Sequence, residues 1–147
     1  MLDEGRLPEA VKALDSELSE TGDRGWVGQL LGTAHLRLGQ QLRAQGDLDD
    51  AAEHVAAAAG LAAVLPAELR LEIVGLEKAL GDDYYRRGIT IYRQDIDEAI
   101  RCWEQSIKLN PEHAKARLRL SVAYKAKETL DAIGSKEGGP MPDGRSE

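Results

Sequence analysis

The sequence predicts an all-α protein of antiparallel helix pairs, about six or seven helices in all, and three observations predict it. No stretch alternates apolar and polar residues strictly enough for a strand. Three segments look alike: GRLPEAVKALDSEL (5–18), GDLDDAAEHVAAAAGL (46–61) and DIDEAIRCWEQSIKL (95–109). Each sets an Ala four places before a larger apolar residue on one helical face: Ala10 and Leu14, Ala51 and Val55, Ala99 and Trp103. Finally, a core without Phe and with only two Trp and four Tyr must rest on small aliphatic side chains, which suit closely spaced helices.

Taken in order, residues 5–18 form the first helix. TGDRGWVG (21–28) reads as a flexible connection anchored by Trp26, its glycines wrongly spaced for a phosphate cradle. HLRLGQQLRAQG (35–46) is a helix of a second kind, with Leu38, Gly39 and Leu42 on its packing side and Gly46 closing it. Asp47 with Asp50 opens the helix that follows, a looser version of the capping arrangement of Asp95 and Glu98. PAELRLEIVGLEKALG (66–81) adds helix with a stripe of Leu69, Ile73, Leu76 and Leu80, and Gly81-Asp82 is a candidate kink. YYRRGITIYRQ (84–94) carries Tyr84, Gly88 and Ile91, the small residue admitting a close neighbour. The helix from Asp95 stops at Asn110, and Asn-Pro-Glu (110–112) starts a last one over 112–133 with Leu120, Ser121 and Tyr124 on its packing face. Residues 1–133 are therefore the helical domain. GSKEGGPMPDGRSE (134–147) reads as a disordered tail or linker.

These residues resemble the tetratricopeptide repeat, a helix–turn–helix unit of about 34 residues. Residues 35–65 match through Leu38, Gly39, Leu42, Ala51, Val55 and Ala58, and residues 84–111 through Tyr84, Gly88, Ala99, Trp103, Ser106 and Pro111. Residues 5–18 look like a second helix without its first, and 114–127 like a first helix without its second. The alanine-to-alanine intervals, 41 and 48 residues, depart from the family's period. The resemblance implies a right-handed superhelix and a chain of bacterial type, and the half-units leave open that the chain is a fragment of a longer protein. It also implies Trp103 inserted between Tyr84, Gly88 and Ile91 on one side and Leu120, Ser121 and Tyr124 on the other.

The composition narrows function. A formal net charge of −7 argues against wholesale binding of nucleic acid or an anionic membrane. The longest apolar stretch, HVAAAAGLAAVLPA, is too short to span a bilayer. The start, MLDEGRLPEA, has no signal-peptide pattern, so the default setting is cytoplasmic, with an envelope association open if an N-terminal part is missing. Cys102, alone, reads as a buried structural thiol. His35, His54 and His113 have no ligand spacing, and no nucleophile or phosphate motif is present, so neither enzyme, metal nor cofactor is expected. The acidic pairs Asp49-Asp50 and Asp82-Asp83 read as helix-start residues.

Charge sorts by helix type. Bases gather on the helices that, by the resemblance, line a concave groove. The groove-facing positions it implies are Leu36, Arg37, Gln40 and Arg43; Tyr85, Arg86, Ile89, Tyr92 and Arg93; and Lys115, Leu118, Arg119, Val122 and Lys125. The expected function is a non-catalytic protein-interaction scaffold that binds an acidic peptide in this basic groove. Leu36 and Gln40 stand where the family's carboxylate clamp would need Lys and Asn, so that clamp is not expected. Two rivals stand beside the groove: self-association through apolar ends (Leu7, Val11 and Leu14; Leu130 and Ile133), giving a homodimer, and a docking arm of a larger enzyme or regulator.

Overall fold

In the computed structural model, which describes residues 6–21 and 25–138, six α-helices follow one another: α1 (Leu7–Thr21), α2 (Trp26–Ala44), α3 (Leu48–Gly60), α4 (Ala67–Ile91), α5 (Ile96–Leu109) and α6 (Ala114–Gly138). One 3₁₀ turn, Ala62–Val64, stands before α4, and no strand occurs among the described residues. The all-α expectation holds. The chain divides into two compact units, residues 1–83 and 84–147, with the boundary inside α4.

The first unit is aliphatic. Leu7 and Val11 on α1 pack with Leu31, Ala34 and Leu38 on α2 and with Leu61, and Leu14, Leu42 and Val64 close the edges. The α2–α3 turn is local chemistry. Gly46 takes φ +84°, a conformation that costs side-chain-bearing residues more than glycine. The Asp47 side chain then accepts from Asp50 N at 3.4 Å, capping α3. Gly39 lets both α3 and α4 approach α2 closely. A Cβ there would stand 3.2 Å from Leu76 Cδ2 and 3.4 Å from the Ala51 carbonyl.

Several expectations change here. α2 begins at Trp26, not at residue 35, because Val27, Leu31, Ala34 and Leu38 already repeat at helical spacing against α1. Trp26 is 60% exposed and anchors nothing, and Gly28 is buried inside the helix rather than in a loop. Gly22 lies outside the described residues. Leu7 and Val11, expected as a bare apolar end, are covered by α2. Leu36, expected in a groove, is fully buried. Residues 66–81 and 84–91 form one helix, and Gly81 is buried within it without a break.

The second unit is built around one indole. Ala99, Ile100, Trp103, Ala116 and Ala123 form its core, with Tyr85, Ile91, Tyr92, Ile96, Ile107 and Leu120 packed around them. Asp95 caps α5, its side chain accepting from Glu98 N at 3.0 Å. α6 starts two residues later than Asn-Pro-Glu suggests, at Ala114, where His113 Nδ1 accepts from Ala116 N at 3.2 Å. Its packing face is Ala116, Leu120 and Ala123. Ser121 is exposed, and Tyr124, expected in the core, is 41% exposed with its hydroxyl on Glu104. The helix continues to Gly138, into the stretch read as a tail from 134, and residues 139–147 lie outside the described residues.

Candidate functional site

The end of α4, the following turn, α5 and α6 enclose a cavity of about 410 Å³ lined by Ile89, Thr90, Tyr92, Arg93, Gln94, Trp103 and Arg119. Trp103 sets its shape. The indole is 1% exposed, and Nε1–H donates to the Tyr85 carbonyl at 3.1 Å. Gly88 makes room for it: a Cβ there would fall 2.7 Å from Trp103 Cε2. The Tyr92 ring lies against the indole, centroids 5.6 Å apart. These contacts fix the last turn of α4 against α5 and so place Ile89 and Arg93 along one wall. Leu120 and Ala123 fix α6 and so place Arg119.

Of the residues expected in a groove, the cavity brings together Ile89, Tyr92, Arg93 and Arg119. Arg86, Lys115, Leu118, Val122 and Lys125 are exposed but do not line it. Tyr85 is drawn into the core instead, its ring 5.0 Å from His113. Thr90 and Gln94 join the wall although the helical spacing did not point to them.

The first-unit residues of the expected groove are engaged elsewhere. Arg37 Nη1 reaches Glu72 Oε2 at 2.6 Å, and Gln40 Nε2 donates to the same oxygen at 3.2 Å. The Arg37 guanidinium holds the Glu72 carboxyl below the usual carboxylate range. Arg43 grips Asp83 with Nε at 2.6 Å and Nη2 at 3.3 Å. Arg37, Gln40 and Arg43 therefore tie α2 to the first-unit part of α4.

In the second unit, Arg101 pairs with Glu98 at 2.7 Å and depresses its carboxyl, with Arg87 further off at 3.9 Å. Arg117 Nε donates to the Pro111 carbonyl at 2.7 Å, and Lys127 pairs with Asp97. Arg93 and Arg119 differ: among the described residues neither has an ion pair or side-chain hydrogen bond. Two forked guanidinium donors beside a tyrosine and an isoleucine can take a carboxylate and the apolar carbons next to it. Cys102 supplies no nucleophile, since burial pushes its thiol up to about 11. No group of three His, Cys, Asp or Glu among the described residues could hold a metal ion.

Helices pack through small-for-large exchanges, Gly88 against Trp103 and Gly39 against Leu76. In comparison with known families, residues 91–134 match the tetratricopeptide repeat, and that stretch is similar to it. The match frames α5 with α6, whereas the resemblance in the sequence grouped 84–111. No curated protein matches the chain. Tetratricopeptide repeats are in general non-catalytic modules of protein–protein interaction. No helix among the described residues is long and apolar enough to cross a membrane.

Proposed function

We propose that this protein is a non-catalytic scaffold whose second unit binds an acidic peptide segment at the Arg93–Arg119 cavity. One observation carries the reading: these two arginines line a cavity without an acidic partner among the described residues, while Arg37, Arg43 and Arg101 are each bound to a carboxylate. The guanidiniums supply bidentate donors for Asp or Glu side chains. Ile89 and Tyr92 supply apolar contact beside them. The basic groove is thus confined to the second unit, a smaller surface than the sequence suggests.

The test uses labelled Glu/Asp-rich and charge-neutral peptides in a titration followed by polarisation. Each lost charged hydrogen bond should cost about 1.5–3 kcal/mol, roughly tenfold or more in affinity. Arg93→Glu with Arg119→Glu should abolish acidic-peptide binding, and Arg37→Ala with Arg43→Ala should leave it intact. Equal binding of both peptide classes, or undiminished binding by the Arg93/Arg119 variant, refutes the proposal.

A second reading, self-association, is favoured at the α6 end alone. Leu118, Val122, Leu130 and Ile133 are 66%, 52%, 56% and 47% exposed. Their spacing keeps them toward one side of the helix. Light scattering discriminates: a monomer at high micromolar concentration removes this reading.

A further inference from the structure

His35 on α2 and His54 on α3 meet with Nδ1 to Nδ1 at 2.9 Å, ring centroids 5.1 Å apart. A hydrogen bond between two imidazole nitrogens needs one N–H and one bare nitrogen. When both rings are protonated, every ring nitrogen carries a hydrogen. The contact then becomes N–H against N–H between two cations. His35 is only 6% exposed, so water cannot take over the lost bond without separating the helices. The seam around it is tight: Ala51, Val55 and Ala58 are fully buried, and Gly39 stands against the Ala51 carbonyl and Val55 N.

We infer that the His35–His54 pair is an acid-operated latch on the first unit, closed while at least one ring is neutral and released when both are protonated. Charged groups face the pair from each packed element. On α1, Asp15 favours a charged His35. On α3, His54 opposes it, with Asp50 and Glu53 on the same helix as His54. No charge on α4 is among those that act on His35; Glu72 and Asp83 there pair with Arg37 and Arg43. Burial, followed by the His54 charge, outweighs Asp15 and holds His35 below its ordinary value of 6.5. The unfolded chain therefore binds more protons than the folded one as pH falls below about 6.5, and stability falls with it. Each extra proton taken up on unfolding raises the unfolding constant about tenfold per pH unit.

The test is urea unfolding of the full chain, followed by helical circular dichroism between roughly pH 7.5 and 5.5, where imidazoles titrate and carboxylates largely do not. His54→Gln keeps a carbonyl that accepts from His35 Nδ1–H in either protonation state. The unfolding constant of the wild-type chain should climb with acid, and His54→Gln should lose the part of that slope owed to the pair, burial of His35 keeping the rest. A flat wild-type profile, or equal slopes in the two proteins, overturns the latch. Should the variant not fold, imidazole resonances of the wild-type chain decide. Two separated titration steps for His35 and His54 support the latch, and a single ordinary step for both overturns it.

Discussion

The two units meet the same demand, packing helices closely, with different side chains. In the first, aliphatic residues such as Leu7, Leu31 and Leu38 share the burial. In the second, Trp103 carries most of it, with alanines at 99, 116 and 123 giving way around it. Their charges differ in the same sense. Arg37 and Arg43 of the first unit are spent on Glu72 and Asp83, whereas Arg93 and Arg119 of the second have no carboxylate partner among the described residues. An arginine committed to its own helices cannot also grip a ligand, so holding the fold and binding a partner compete for one residue type. The first unit resolves that contest toward structure, and the second leaves Arg93 and Arg119 without an ion pair among the described residues.

The strongest way to break this contrast is Trp103→Ala. A fully enclosed aromatic should cost about 3–5 kcal/mol when truncated, measured by denaturant unfolding. A loss below about 1 kcal/mol, the size of a typical substitution, would mean that the second unit does not rest on the indole. Gly88→Ala is next. The new Cβ would meet the indole at 2.7 Å (Cε2) and 2.9 Å (Cδ1), and a ring held on both sides cannot yield cheaply. Overpacking of this kind costs about 1–3 kcal/mol. Gly39→Ala is the matched control in the first unit. Its nearest neighbour is the end of a flexible leucine at 3.2 Å, and Ala in place of a helical Gly returns up to about 1 kcal/mol. It should be near neutral, and equal costs at 39 and 88 would erase the distinction between the cores.

Much of this was legible in the sequence because it is local. Asp47 and Asp95 cap helices through bonds to residues three places on, and the Ala-to-large spacing of α3 and α5 needs no partner to be seen. Gly88 opposite Trp103 was also readable as a small-for-large exchange. The face of α6 was not. That helix carries Leu118 and Val122 on one side and Ala116, Leu120 and Ala123 on the other, and only α5 decides which is buried. The start of α2 was obscured by Gly25 and Gly28, which read as loop until α1 covers Leu31 and Ala34 just beyond them. The partners of the α2 bases were hidden for the same reason. Bases on α2 are visible as a pattern, but Glu72 lies 35 residues beyond Arg37 and Asp83 lies 40 beyond Arg43. The His35–His54 contact, 19 residues apart on two helices, had no spacing to announce it.

The arginines sharpen the comparison at a smaller scale. Arg37 and Arg43 are about 36% and 39% exposed, so their pairs are screened by solvent. Arg37→Ala and Arg43→Ala should each cost no more than about 1 kcal/mol of stability. Arg93→Glu and Arg119→Glu break no pair and should leave the unfolding midpoint within error. A large loss of stability on changing Arg93 or Arg119 would make them structural after all, and would remove the ground for a ligand.

The least disruptive probe changes no residue. Cys102 is the one cysteine of the chain and belongs to the second unit, where its side chain is fully buried and its thiol donates to Glu98 Oε2 at 3.8 Å. Burial first, and then the Glu98 carboxylate beside it, raise the thiol from 9.0 to about 11. The thiolate is the reactive form, so a thiol raised that far alkylates roughly a hundredfold more slowly in mildly alkaline buffer, before any loss of access is counted. Iodoacetamide should therefore leave native Cys102 untouched on the timescale that labels the denatured chain, and the residual rate reports opening of the second unit alone. Trp103→Ala should raise that rate sharply, because it loosens the packing on α5 that seals the thiol. Gly39→Ala should not, since its contacts lie in the first unit. Equal acceleration by both substitutions would show that the two units open together and would dissolve the contrast between them.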